Sequence, residues 1–331
     1  MNLVVACGYK SNEILYANTM KSDNDVKDIL KYDIGITTVD SVEAVEQIVK
    51  AKWNPKILVR LAVDDSGSRS PFSIKFGARK EEWNKIISVI DYYKLQLEGV
   101  SFHIGSASSN PDAFKEAIIQ CRVFQKQTNK YLNTIDIGGG FLPDKNIFLD
   151  AANKINIEKN NWYENAPKHW IAEPGRFFSS PIQTLYTPIV FCKESEHNRR
   201  YILDDSLYGQ FTSIPFDHNY QQWRLLNKNL KPINRQKRYK DALFFGKTCD
   251  SMDFIAVHKK SPKYKVGDIL AFPNMGAYTC ATASQFNGFE LPIKYYINKK
   301  LPKYNIKNNS DIIHPISIKS EISLSISKEL K

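Results

Sequence analysis

Over the first 180 residues, short apolar runs recur between amphipathic stretches. The runs are Glu13–Ala17, Gly35–Val39, Lys56–Val63, Gly99–Ile104, Leu132–Ile137 and Trp170–Ala172. Their apolar residues are mostly consecutive rather than alternating, the pattern of a strand covered on both faces. Between them, Asp23–Tyr32, Ser41–Lys50, Lys80–Gln96 and Pro111–Thr128 carry apolar residues at helical spacing, as at Val26, Ile29 and Leu30. Ser41 stands where an N-cap belongs. A loosely helical region precedes the sixth run. Six strand–helix alternations predict a parallel sheet whose strand C-terminal ends share one rim. Polar or glycine residues follow nearly every run, among them Asp64-Asp65-Ser66, Gly105-Ser106, Gly138-Gly139-Gly140 and Glu173-Pro174-Gly175. The expected fold class is an α/β barrel of TIM type with its site on that rim. Closure takes eight strands, and the pattern supplies six.

From Pro181 the pattern changes. Pro188–Cys192, Tyr201–Leu203, Ala242–Phe245 and Ile269–Phe272 are short strand-like runs with turn residues and no helices between them. That predicts a mostly antiparallel C-terminal β domain. The expected division is residues 1–180 as a partial cofactor-binding barrel, 181–298 as the β domain, and 299–331 as a tail rich in Lys, Asn, Ser and Ile. The basic loop Asn227–Lys240 is expected on the surface, and the tail to be poorly ordered.

Composition narrows the function classes. The formal charge is +11, but the lysines are scattered and interleaved with Asn and Ile, so no basic face for nucleic acid is expected. The five cysteines (Cys7, Cys121, Cys192, Cys249, Cys280) are odd in number and far apart, which predicts neither a disulfide framework nor a metal site. Leu3–Ala6 is too short for a signal peptide, and no stretch reaches the ~20 apolar residues of a membrane span. A cytoplasmic protein without membrane contact is expected.

The candidate chemistry lies in short motifs. The run Trp170–Ala172 delivers Glu173 where Pro174-Gly175 stops the strand, and Arg176 follows. Alone, such a stretch is more often a surface turn with a solvated ion pair. Phe102-His103-Ile104-Gly105-Ser106 puts an imidazole and a hydroxyl at one strand end. Asp136-Ile137-Gly138-Gly139-Gly140 is a loop whose bare amides can approach a phosphate, although a glycine triplet is more commonly a tight turn. Phe216-Asp217-His218, Thr248-Cys249-Asp250 with Asp253, and Asn274–Tyr278 fall in the β domain. Each has a plain explanation, a lone Cys being usually a small core hydrophobe.

In this order, the set resembles the ornithine decarboxylase family, pyridoxal-phosphate enzymes with an N-terminal β/α barrel and a C-terminal β domain. The matching stretches are Tyr16-Ala17-Asn18, Val100–Ser106, Ile135–Phe141 and Ile171–Phe177. They continue with Tyr208-Gly209, Phe216–His218, Thr248–Asp250, Asn274–Thr279 and Phe286–Phe289. The resemblance implies that Glu173 holds the protonated pyridine nitrogen and that His103 stacks on the ring. It implies that Ser106, Gly138, Gly139, Gly140, Gly175, Arg176 and Tyr278 bind the cofactor, chiefly at its phosphate. Asp217 and Asp250, with Phe216 beside them, would hold the distal ammonium of ornithine. Cys249 would return a proton to the α-carbon, from a loop supplied by the partner subunit of a homodimer. Putrescine for polyamine synthesis would be the product, and an antizyme-like regulator a further partner, aligned with Asp23–Val49.

The chain departs from the family at its start. Members carry a Tyr-Ala-x-Lys motif whose lysine bonds to the cofactor, and no such motif occurs here. Leu3–Tyr9 would be a helix remnant before the third barrel strand, and Lys10 falls at the wrong end of the barrel to substitute. An N-terminally truncated chain, inactive alone, is expected. Phe216 stands where the family usually has Tyr, and Pro273 before Asn274 is unusual. The alternatives are a non-catalytic regulator resembling antizyme inhibitors, and a decarboxylase of arginine, lysine or diaminopimelate.

Overall fold

The runs that are apolar on both faces pair side by side in chain order. The structure, a computed structural model, describes residues 1–218, 222–235, 240–297 and 312–313. It divides into two compact units, Met1–Phe177 and Phe178–Lys331. In the first, β1 (Leu15–Tyr16), β2 (Ile36–Val39), β3 (Lys56–Arg60), β4 (Gln96–Ser101), β5 (Thr134–Asp136) and β6 (His169–Ile171) form one parallel sheet in the order β1-β2-β3-β4-β5-β6. This is a curled arc of a β/α barrel. Among the described residues β1 and β6 are its two edges.

Helices α1 (Asn2–Ala6), α2 (Asp23–Lys31), α3 (Val42–Lys50), α4 (Trp83–Tyr92), α5 (Asp112–Thr128) and α6 (Lys145–Asn160) alternate with the strands. Local chemistry sets their starts. Ser22 and Asp25 form a reciprocal capping box on α2, the Ser41 hydroxyl accepts from Ala44 N–H, and Asp144 accepts from Asn146 and Ile147 N–H. Ile57, Val59, Val100 and Ile135 from the sheet and Trp83, Ile48, Ile118 and Phe124 from the helices are fully buried in one core. Each such side chain contributes roughly 1.5–3 kcal/mol relative to exposure.

Two boundaries differ from expectation. The helix expected to reach Gln96 ends at Tyr92, because Lys94 takes a left-handed conformation (φ 53°) and breaks the repeat. Strand β4 therefore starts at Gln96, and Phe102–Ile104 lie beyond its last ladder pair.

The second unit holds a sheet of order β13-β11-β10-β8-β7-β12-β9. Its strands are β7 (Leu185–Glu194), β8 (Asn198–Leu203), β9 (Arg224–Leu226), β10 (Asp241–Phe245), β11 (Phe254–His258), β12 (Ile269–Phe272) and β13 (Ile312–Ile313). It is mostly antiparallel; β8 and β10 pair in parallel. Three of these strands escaped the pattern. β9 and β13 are too short to register, and β11 follows directly on the Cys249-Asp250 motif. The aromatic core is Tyr201, Phe211, Trp223, Phe244, Tyr264 and Phe272.

Part of the basic loop is anchored rather than loose: Arg235 pairs with Asp268 through both guanidinium nitrogens. Residues 236–239 of that loop lie outside the described residues, as does the expected tail apart from Ile312–Ile313. Among the described residues no helix is long and apolar enough to cross a membrane.

Candidate active site

Because all six strands are parallel, their C-terminal ends bring Asp40, Arg60, His103, Asp136 and Glu173 to one rim. Backbone pairing continues past the strand ends. Phe102 N–H donates to Asp136 O (2.9 Å), Ile137 N–H to Ile171 O (2.9 Å), and Glu173 N–H to Gly138 O (2.8 Å). The glycine loop and the turn carrying Glu173 are thereby held to each other by main chain.

The glycines are required by crowding. A Cβ on Gly138 would lie 2.3 Å from Phe102 O, one on Gly139 2.8 Å from His103 Nε2, and one on Gly140 2.7 Å from Gly105 O. Gly138 and Gly140 also have φ of +62° and +103°. Gly175 differs: a Cβ there would meet open space. Beyond it, the buried Arg176 donates from Nη2 to Ser106 Oγ at 2.6 Å, joining a cation and a hydroxyl that are 70 residues apart.

The electrostatics of the rim follow from burial. His103 stands 4.8 Å from the Phe72 ring, and its Nδ1 has no hydrogen-bond partner among the described residues. Burial, with Arg60 nearby, holds its imidazole down to about 4, so at pH 7 it is a neutral flat ring. Burial and then the charge of Glu173 push the Asp136 carboxyl up to about 7. Glu173 is exposed at the mouth of the rim, but the protein crowding around it raises its carboxyl too, with Arg60 opposing.

Arg60 was not among the expected site residues. Its guanidinium lies over the Phe76 ring at 4.7 Å, in the field of Asp40, Glu173, Asp136 and Asp65. The available signal was a cation inside the apolar run Ile57-Leu58-Val59-Arg60-Leu61, a position with no reason to be charged unless it is matched.

Two lysines flank β1. Lys10 is exposed on the N-terminal side of β1, opposite the rim. Lys21, after β1, is buried. Its Nζ donates to the carbonyls of Asn18 (3.0 Å), Thr19 (3.1 Å) and Thr38 (2.8 Å). All three ammonium protons are thus engaged by main chain, which makes Lys21 a tie between β1 and β2.

The remaining expected residues belong to the second unit. Asp217 is buried at the end of the short helix α7 (Ser213–Asp217), while Phe216 beside it is 78% exposed. Cys249 is exposed. Asp250 accepts the Tyr208 hydroxyl, and that hydrogen bond lowers the carboxyl and raises the phenol. Tyr208 in turn stacks on Phe286, with ring centroids 4.1 Å apart. Tyr278, exposed with φ 53°, follows a turn tied down by Met275 N–H to Gln183 O and Gly276 N–H to Ser180 O.

The model of the pyridoxal-dependent decarboxylase pyridoxal-binding domain matches residues 1–180. The "Probable ornithine decarboxylase" of Dictyostelium discoideum is 32% identical over 92% of this chain and 68% of its own length. Antizyme inhibitor 2 of Xenopus laevis is 32% identical over 89% of this chain and 68% of its own. The crystal structure of lysine/ornithine decarboxylase from Vibrio vulnificus, complexed with cadaverine, matches with a TM-score of 0.76. It is 31% identical over 90% of this chain and 79% of that one. Pyridoxal phosphate needs a phosphate cradle, a flat neutral neighbour and a carboxylate near its ring. The crowded glycine loop, the Ser106–Arg176 pair, the neutral His103 and Glu173 fit those needs. The chain belongs to the family of pyridoxal-phosphate-dependent ornithine, arginine and lysine decarboxylases.

Proposed function

We propose that this chain carries the cofactor- and substrate-binding parts of an enzyme that decarboxylates L-ornithine to putrescine in polyamine synthesis. The observation that carries the reading is the joining of Glu173, neutral His103 and the glycine loop on one rim by main-chain hydrogen bonds. Pyridoxal phosphate supplies, when bound, an electron-withdrawing ring that takes up the electron pair left by departing CO2. Glu173 holds a proton at the pyridine nitrogen, and Asp136 and Arg60 set its charge. His103 lies against the ring without adding a positive charge. Ser106, Gly138, Gly139, Gly140, Gly175, Arg176 and Tyr278 hold the cofactor, mostly at its phosphate.

On the substrate side, Asp217 and Asp250 receive the distal ammonium, which selects a basic side chain. Phe216 supplies an apolar wall. Cys249 returns a proton at the α-carbon, on a loop offered to the partner of a cytoplasmic homodimer. Ornithine is preferred in this reading over arginine, lysine and diaminopimelate, on the likeness of Thr248–Asp250 and Phe286–Phe289 to the ornithine branch.

The chain as given has no counterpart of the cofactor-bonding lysine, and Lys10 and Lys21 are unsuited to that task. We therefore expect it to bind pyridoxal phosphate reversibly and to release no CO2 alone. A regulatory reading, in which the chain binds an antizyme-like partner in place of an active enzyme, is favoured by the 32% identity to antizyme inhibitor 2. The test is to mix the purified chain with pyridoxal phosphate and ornithine, following cofactor absorbance and CO2. CO2 release overturns the inactive assignment. Absence of saturable cofactor binding overturns the site and leaves the regulatory reading.

A further inference from the structure

In the second unit, two carboxylates lie buried beneath two glycines. Asp205 is 3% exposed; its Oδ1 accepts from Ser206 N–H (2.7 Å) and Gln210 N–H (2.9 Å). A Cβ on Gly209 would lie 2.1 Å from that same oxygen. Asp253, 1% exposed, accepts Leu207 N–H at Oδ1 and the N–H and hydroxyl of Thr248 at Oδ2. A Cβ on Gly246 would lie 2.2 Å from both Asp253 oxygens.

The backbone completes the clasp. Lys247 N–H donates to Asp205 O, and Gly246 N–H to Asp253 O. Two loops, 205–210 and 246–253, are thus wound around two carboxylates, and the side chains projecting from them meet as the Tyr208–Asp250 hydrogen bond. A buried carboxylate is costly unless its acceptor capacity is used. Asp205 uses one oxygen on two amides, while Oδ2 has no partner among the described residues. A residue kept at that cost for packing alone would be better replaced by an apolar one. The two amides that donate to it, of Ser206 and Gln210, bracket Tyr208.

We infer that Asp205 is a positioning residue: it shapes the 205–210 loop so that the Tyr208 hydroxyl reaches Asp250. The use of Asp250 for the substrate ammonium rests on the proposed function; the positioning of Tyr208 does not. The experiment therefore reads Tyr208 directly, in the full chain, as the pH titration of its ring carbon by NMR, assigned with Tyr208→Phe. In the unaltered chain Asp250 keeps the phenol above the usual tyrosine range, and Asp250→Asn defines the released position.

Asp205→Ala and Gly209→Ala, the second wedging the loop off the carboxylate, should each move the titration down toward the Asp250→Asn value. Asp205→Asn keeps an oxygen for both amides and should restore the unaltered titration. Far-UV circular dichroism monitors the fold. An unmoved titration in the folded Ala variants overturns the inference. So does unfolding of both, which would assign Asp205 to the general core. A moved titration together with unaltered diamine binding would count against the proposed role of Asp250, leaving the positioning intact.

Discussion

The rim of the first unit and the clasped loops of the second hold reactive groups by opposite means. On the rim, strand ends do the positioning. Main-chain bonds run directly into the glycine loop and the Glu173 turn, and several charged groups share one another's fields. In the second unit Cys249 is exposed and Asp250 partly so, and the ordering charges, Asp205 and Asp253, are the ones underneath. A rim built on a parallel sheet needs few side chains to hold its shape but exposes its titrations to one another. A loop site couples its groups only to near neighbours and needs buried acceptors to give it shape.

The most disruptive way to break this contrast is Gly138→Ala. Left-handed backbone and an overlap with Phe102 O should together cost about 4 kcal/mol. Denaturant unfolding should show the loss, and cofactor binding should vanish in the folded fraction. Retained binding would mean that the glycine loop does not form the cradle.

Asp136→Asn probes the shared field of the rim. The Asp136 carboxyl has an ordinary value of 3.8 and stands near 7 in the fold, so between those values the folded state holds more protons than the unfolded chain. Its contribution to stability is therefore full at low pH and is lost as pH rises from about 4 to about 7. The difference in unfolding free energy between the unaltered chain and Asp136→Asn should fall by roughly 1 kcal/mol per pH unit across that window. The Gly138 N–H keeps an acceptor in the variant. A flat difference would show that neither burial nor Glu173 raises the Asp136 carboxyl.

The smallest effect sharpens the other half of the comparison. Cys249→Ser, at an exposed thiol, should change stability by less than about 0.5 kcal/mol. Alkylation of native protein should reach Cys249 quickly and the fully buried Cys121 only on unfolding. A slow Cys249 would show that its loop is covered in solution.

These two regions were unequally legible. The barrel strands announced themselves because burial on both faces leaves a run of consecutive apolar residues, and Glu173, Arg176, His103 and Ser106 were found as strand-end motifs. Arg60 and Lys21 were missed because a charge within or beside an apolar run acquires meaning only from neighbours that the fold brings near. Asp205 was missed for the same reason: nothing local distinguishes it from Asp204, which is exposed. In the β domain, β8 and β10 pair in parallel although a short helix and β9 intervene in the chain, and β9 has three residues, so no local pattern fixes these pairings.

The strands of the first sheet taper from six residues in β4 to three in β6 and two in β1. Main-chain donors and acceptors at an open edge can template the growth of a fibril. An edge two residues long offers an incoming strand almost no ladder on which to register. Among the described residues, β1 and β6 are therefore both poor templates for an added strand.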